Sequence, residues 1–158
     1  MLKIDDPVAT AGRARARARA RVLIVDDDPA MRMLCSINLQ LEGLVVLEAT
    51  GGRSALARAR AELPDLVLTD VSMPRFDGFQ LAAALRRDKQ TREIPLIFLS
   101  GESNAANRAR AEKLGALAYL TKPFDPPLLA FAVVDALARI GKLERAPSIG
   151  PSDPHEAV

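Results

Sequence analysis

Short apolar runs alternate along this chain with longer stretches of mixed character. "RVLIVD" (21–26) is a β-branched run closed by an acid, which predicts a buried strand. Asp28-Pro29 has the form of an N-cap and first helical residue. Ala30, Leu34, Ile37 and Leu41 then follow at helical spacing, and Gly43 ends the helix. "LVVLEA" (44–49) predicts a second strand, and "SALARARAEL" (54–63) a helix broken by Pro64-Asp65. "LVLTD" (66–70) is a third buried strand, followed by a helix marked by Phe79, Leu81, Ala82 and Leu85. "PLIFLS" (95–100) is a fourth strand, and residues 103–116 form a helix ending at Gly115, with Glu102 and Ser103 as candidate caps. "LAYLT" (117–121) is a fifth strand, and Asp125-Pro126 opens a last helix that runs to about Ile140 and stops at Gly141.

Five strand–helix units in strict order predict an α/β fold. Continuous apolar strands imply burial on both faces, hence a doubly wound, five-stranded parallel sheet with helices on both sides. In such sheets functional groups gather beyond the strand C-termini.

Composition narrows the classes. With 158 residues, 49% hydrophobic and 27% charged, the chain is one globular domain with tails. No run of 18 apolar residues offers a membrane span, and no apolar stretch follows the basic N-terminus, so a secretory signal is not expected. The lone Cys35 cannot form an internal disulfide, which suits a reducing cytoplasm. One histidine and one cysteine put a zinc site out of reach. Residues 1–21 carry Lys3 and five arginines against Asp5 and Asp6, so the pI of about 9.0 belongs to this arm and not to the body. The alternation of Arg and Ala (Arg13, Arg15, Arg17, Arg19, Arg21) gives no apolar face, so residues 1–20 are expected to be a disordered basic arm. Residues 142–158, with Pro147, Pro151 and Pro154, are expected to be a disordered tail. Residues 21–141 remain as the folded body.

The strand ends carry the chemistry. The first ends in Asp26-Asp27-Asp28, the third in Asp70, the fourth in Ser100, and Lys122 follows the fifth. A parallel sheet brings these to one edge. Crowded carboxylates repel, and the remedies are protonation or a divalent cation; all-oxygen donors favour Mg²⁺. A nucleophile, a cation, a hydroxyl donor and a metal are the parts that phosphoryl transfer needs. Neither a P-loop nor a GxGxxG run is present, so a nucleotide donor is not expected. Taken singly, Asp28 reads as a helix cap, Asp65 and Asp77 as turn residues, and Tyr119 as packing.

With those residues in view, "RVLIVDDDPAMR", "PDLVLTDVSMPRFDGFQL", "PLIFLSGES" and "AYLTKPFD" resemble the blocks of response-regulator receiver domains of two-component systems, from about Arg21 to Ile140. The resemblance implies a flavodoxin-like (βα)5 receiver of the chemotaxis, single-domain type. It implies that Asp70 accepts the phosphoryl group from a histidine kinase or histidine phosphotransfer protein. It implies that Asp26, Asp27, Asp70 and the backbone carbonyl of Ser72 hold Mg²⁺. It further implies that Lys122, before a cis Pro123, binds the phosphoryl group, and that Ser100 and Tyr119 move together as the switch. The family more often has Thr at the position of Ser100 and Ala at that of Gly101; Ser keeps the hydroxyl.

The expected protein is therefore a cytoplasmic phosphorylation switch acting on a downstream target protein, as monomer or dimer, and turning over no external substrate. The length leaves no room for a helix-turn-helix output domain, so nucleic acid is not an expected partner. A second reading is an anion-binding adaptor using the arginine arm on nucleic acid, acidic lipid or a nucleotide second messenger. A third is a haloacid-type phosphatase with Asp26 and Asp28 as its acids; a helix starting at Asp28-Pro29 argues against it.

Overall fold

The structure, a computed structural model, describes residues 19–143. The expectations for the arm up to Arg17 and for the tail from 144 onward, including the anion-binding reading, lie outside the described residues. Five strands and five helices alternate: β1 (Arg21–Val25), α1 (Pro29–Leu41), β2 (Val45–Ala49), α2 (Gly52–Glu62), β3 (Leu66–Asp70), α3 (Gly78–Arg87), β4 (Leu96–Ser100), α4 (Ala105–Lys113), β5 (Ala118–Thr121) and α5 (Pro126–Arg139). The strands form one parallel sheet in the order β2-β1-β3-β4-β5. The direction of winding reverses between β1 and β3, and the crevice of a doubly wound sheet lies at that reversal.

Side chains that alternate along each strand build two cores. Leu23, Val25, Val67, Leu96 and Phe98 pack against α2 and α3 on one face. Val22, Ile24, Leu66, Leu68, Ile97 and Leu99 pack against α1 and α5 on the other. Every residue of β3 and β4 is buried, so the unbroken apolar runs do mark burial on both faces.

Several local readings are corrected. In α1 the stripe Leu34, Ile37 and Leu41 faces water, Leu41 being 78% exposed; Cys35, Ser36 and Leu39 face the core instead. This helix is apolar nearly all round, so helical spacing selects two stripes, and docking against β1, β2 and α5 chooses between them. The fourth helix is shorter than 103–116. It starts at Ala105 because the Asn104 side chain, rather than Glu102 or Ser103, accepts from Asn107 N at 2.8 Å. Asp77 is a helix cap and not merely a turn residue: it accepts from Gln80 N (2.8 Å), and Gln80 Oε1 accepts from Asp77 N (2.8 Å). Asp125 occupies the N-cap position of α5 without a side-chain cap bond. Asp28 does cap α1, accepting from Ala30 N at 3.0 Å.

Arg86 does a task that no charge pattern announces. It donates to the carbonyls of Leu114 (2.9 Å), Arg92 (2.8 Å) and Ile94 (2.6 Å), joining α3 to the segment before β4 and to the end of α4.

Candidate functional site

The C-terminal edge of the sheet gathers the acids and the lysine as the topology requires. Asp26 follows β1 directly and is 2% exposed; Asp70 ends β3 and is 6% exposed; Asp27 stands in solvent beside them. One carboxylate oxygen from each of the three lies within 4.8 Å of the others. Lys122 reaches over the rim from the end of β5, and its Nζ lies 3.2 Å from Asp26 Oδ2 and 3.2 Å from Asp70 Oδ2. The remaining oxygens are also engaged: Asp26 Oδ1 accepts from Asp28 N (2.9 Å) and Asp70 Oδ1 from Ser72 N (3.3 Å).

Electrostatics follow from this packing. Burial raises the Asp70 pKa above the ordinary carboxylate value; Lys122 pulls it down and Asp26 pushes it up, and burial prevails. For Lys122, burial works against the charge, but Asp70 and Asp26 outweigh it and raise its pKa. Lys122 pairs with Asp26 and Asp70, and Asp27 brings a third carboxyl group to the cluster, more acid than one ammonium balances. A hard divalent cation held by oxygen donors would balance the excess, and the exposed Asp27 leaves the cluster open to solvent.

Local backbone choices hold the cluster in shape. Gly78 N donates to Val71 O (2.9 Å), which folds the segment after β3 tightly back on itself. A Cβ at Gly78 would collide with the Asp70 carbonyl oxygen, so only glycine lets α3 begin this close to the acid. Arg32, to which the sequence reading gave no task, donates to the Asp26 carbonyl (2.8 Å) and pairs with Glu48 at 3.7 Å, fixing the end of β1. Its place one turn into α1 after an acidic strand end is the signal that could have found it. The Lys122–Pro123 bond is cis, as the resemblance implies.

Ser100 ends β4, is 2% exposed, and its carbonyl accepts from Lys122 N at 2.7 Å, so it sits next to the lysine. Its hydroxyl accepts from Glu102 N at 3.0 Å. Tyr119, half-buried in β5, donates its phenol proton to the Glu102 carbonyl at 2.5 Å. Asp26, Asp27, Asp70 and Lys122 thus form one cluster, Ser100 adjoins it through the lysine backbone, and Tyr119 is bonded to the loop beyond.

Residues 22–134 match the response regulator receiver domain. The chain belongs to the response-regulator receiver family. This receiver is 38% identical over 117 residues to Protein PilH of Pseudomonas aeruginosa, covering 74% of the present chain and 97% of PilH. It is 40% identical over 124 residues to the DNA-binding dual master transcriptional regulator RpaA of Synechocystis, covering 78% of this chain and 48% of that protein. It thus spans about half the length of the first of its curated relatives. Among solved structures it is similar to the chemotaxis protein CheY4 of Vibrio cholerae, with a TM-score of 0.68, 34% identity, and coverage of 77% and 98% of the two chains. It is similar too to a CheY-like receiver domain protein of Methanospirillum hungatei, with a TM-score of 0.72, 29% identity, and coverage of 78% and 98%. The receiver is a signalling module with the flavodoxin-like fold, and among the described residues no helix is long and apolar enough to cross a membrane.

Proposed function

We propose that the receiver takes a phosphoryl group on Asp70 from a histidine kinase or histidine phosphotransfer protein and passes the signal to a downstream target protein. Asp26, Asp27, Asp70 and the backbone carbonyl of Ser72 would hold Mg²⁺ during the transfer. The observation that carries this reading is a buried Asp70 ion-paired to Lys122 at 3.2 Å, with two further carboxylates in reach of one shared ion. Mg²⁺, when bound, supplies positive charge against which an anionic phosphoryl group can approach an anionic nucleophile.

The residues divide the work. An Asp70 carboxylate oxygen attacks phosphorus; the new O–P bond forms as the N–P bond of the donor phosphohistidine breaks, and the imidazole leaves with the electron pair. Asp70 Oδ2 loses its charge on becoming an acyl phosphate, so Lys122 transfers its ion pair from that oxygen to the phosphoryl group. Ser100 gives up Glu102 N and donates its hydroxyl proton to a phosphoryl oxygen. That releases the Glu102 amide, and because the carbonyl of the same residue holds the Tyr119 phenol the change reaches the tyrosine, which makes Ser100 and Tyr119 the switch pair. The chain turns over no external substrate; it promotes its own phosphorylation and dephosphorylation, in the cytoplasm where phosphohistidine donors are charged.

The experiment is direct. Incubation with Mg²⁺ and acetyl phosphate is expected to give an acid-stable, base-labile phosphoryl group, lost on chelation with EDTA and in Asp70→Asn. Labelling that persists in Asp70→Asn would overturn the assignment.

A further inference from the structure

Helix α4 is attached in an unusual way. Ala111 is its single buried residue, so it has no apolar stripe with which to dock. Guanidinium groups stand in for one. The Arg110 guanidinium carbon lies 4.6 Å from the centre of the Phe79 ring, and that of Arg108 lies 5.1 Å from the centre of the Tyr119 ring. A cation over an aromatic face is held by the ring's quadrupole, an attraction that survives partial exposure to water.

Arg108 makes a second contact, donating from Nη2 to Ser103 Oγ at 3.0 Å. A closed circuit results. Ser100 Oγ accepts from Glu102 N, the Glu102 carbonyl accepts from Tyr119, the Tyr119 ring lies under Arg108, and Arg108 holds Ser103 in the same loop. The serine hydroxyl cannot turn toward Asp70 without leaving Glu102 N, and Glu102 is tied to the tyrosine that Arg108 covers. We infer that Arg108 is a positioning residue that clamps Tyr119 and the Ser100–Asn104 loop in the resting arrangement, and so sets how readily the switch turns. This inference rests on the phosphoryl-transfer reading above.

The chain carries its own probe, because Tyr119 is the single tyrosine and there is no tryptophan. Arg108→Ala is expected to make tyrosine emission more easily quenched by acrylamide. It is also expected to speed Mg²⁺-dependent labelling by acetyl phosphate about two- to fivefold, the factor matching one exposed cation–π contact. Arg108→Lys, which keeps the charge but loses the planar fork, should fall between. Arg110→Ala is the control: it loosens α4 at Phe79 but should leave tyrosine quenching at the level of the unaltered chain.

Unchanged quenching or an unchanged labelling rate in Arg108→Ala overturns the inference. So does an Arg110→Ala variant that reproduces both effects, since the cause would then be general detachment of α4. If the unaltered chain takes no label at all, the phosphoryl-transfer reading fails on its own account; the quenching comparison still decides whether Arg108 fixes Tyr119.

Discussion

On the β1–β3 side of the sheet edge two carboxyl groups are buried, Asp26 and Asp70, tied to each other by the Lys122 ammonium. On the β4–β5 side the polar groups are a serine hydroxyl, backbone amides and a phenol, joined by neutral hydrogen bonds and covered by one exposed guanidinium. The difference decides what each side can do. Buried charges lose their water and keep their geometry only while every partner is present, so that side is fixed. Neutral links contribute about 1 kcal/mol each and can be traded one for another, which is what the proposed switch would require of that side.

The largest blow to this contrast is Lys122→Ala. It strands two buried carboxylates, and a loss of about 3 kcal/mol is expected at neutral pH without divalent ions. Mg²⁺ or mild acid should recover part of it, because either relieves the uncompensated charge; urea denaturation with and without Mg²⁺ is the check. Gly78→Ala comes next. The new methyl meets the Asp70 carbonyl, and about 1–3 kcal/mol should be lost by the same measurement, together with slower labelling as the acid is displaced.

The pH dependence is smaller and has a definite sign. The Asp70 pKa is raised in the folded chain, so its proton favours folding. That contribution is complete below the unfolded carboxylate value of about 3.9 and is withdrawn as pH climbs through the raised value. Lys122 works at the other end: its stabilisation is complete below about 10.4 and is lost as pH rises through its own raised value. Asp70→Asn should flatten the acidic portion of a stability-against-pH curve and leave the alkaline portion in place. The smallest effect concerns Cys35, whose thiol is pushed up to about 12 by burial, with Asp26 adding to the rise. It should remain unmodified by a disulfide reagent at neutral pH until the chain unfolds; rapid modification of the native protein would mean that the α1 side of the site opens.

The fold and the charged cluster were legible because both depend on residue type at strand ends. Asp26, Asp70 and Lys122 are too costly to bury without partners, and parallel strands leave them nowhere else to meet. What was not legible depends on docking. Leu34, Ile37 and Leu41 have the spacing of a buried stripe yet face water, because an all-round apolar helix has two such stripes and the sheet selects one. Arg32, Arg86 and Arg108 read as surface charge, but each is spent on backbone carbonyls, on an aromatic face or on a hydroxyl, partners that only tertiary structure supplies. Asn104 outcompetes its neighbours as a cap through the path of the loop after Ser100, which no local propensity fixes.

The three carbonyls that Arg86 gathers have one more consequence. Leu114, just past the end of α4, is bolted by that side chain to the lead-in of β4. The opposite end of α4 is held differently, by Arg108 lying over the Tyr119 ring and donating to the Ser103 hydroxyl. The two ends of the helix are thus fastened by different means: backbone carbonyls gathered by one arginine at the trailing end, and an aromatic face with a hydroxyl at the end nearest the loop that follows the serine.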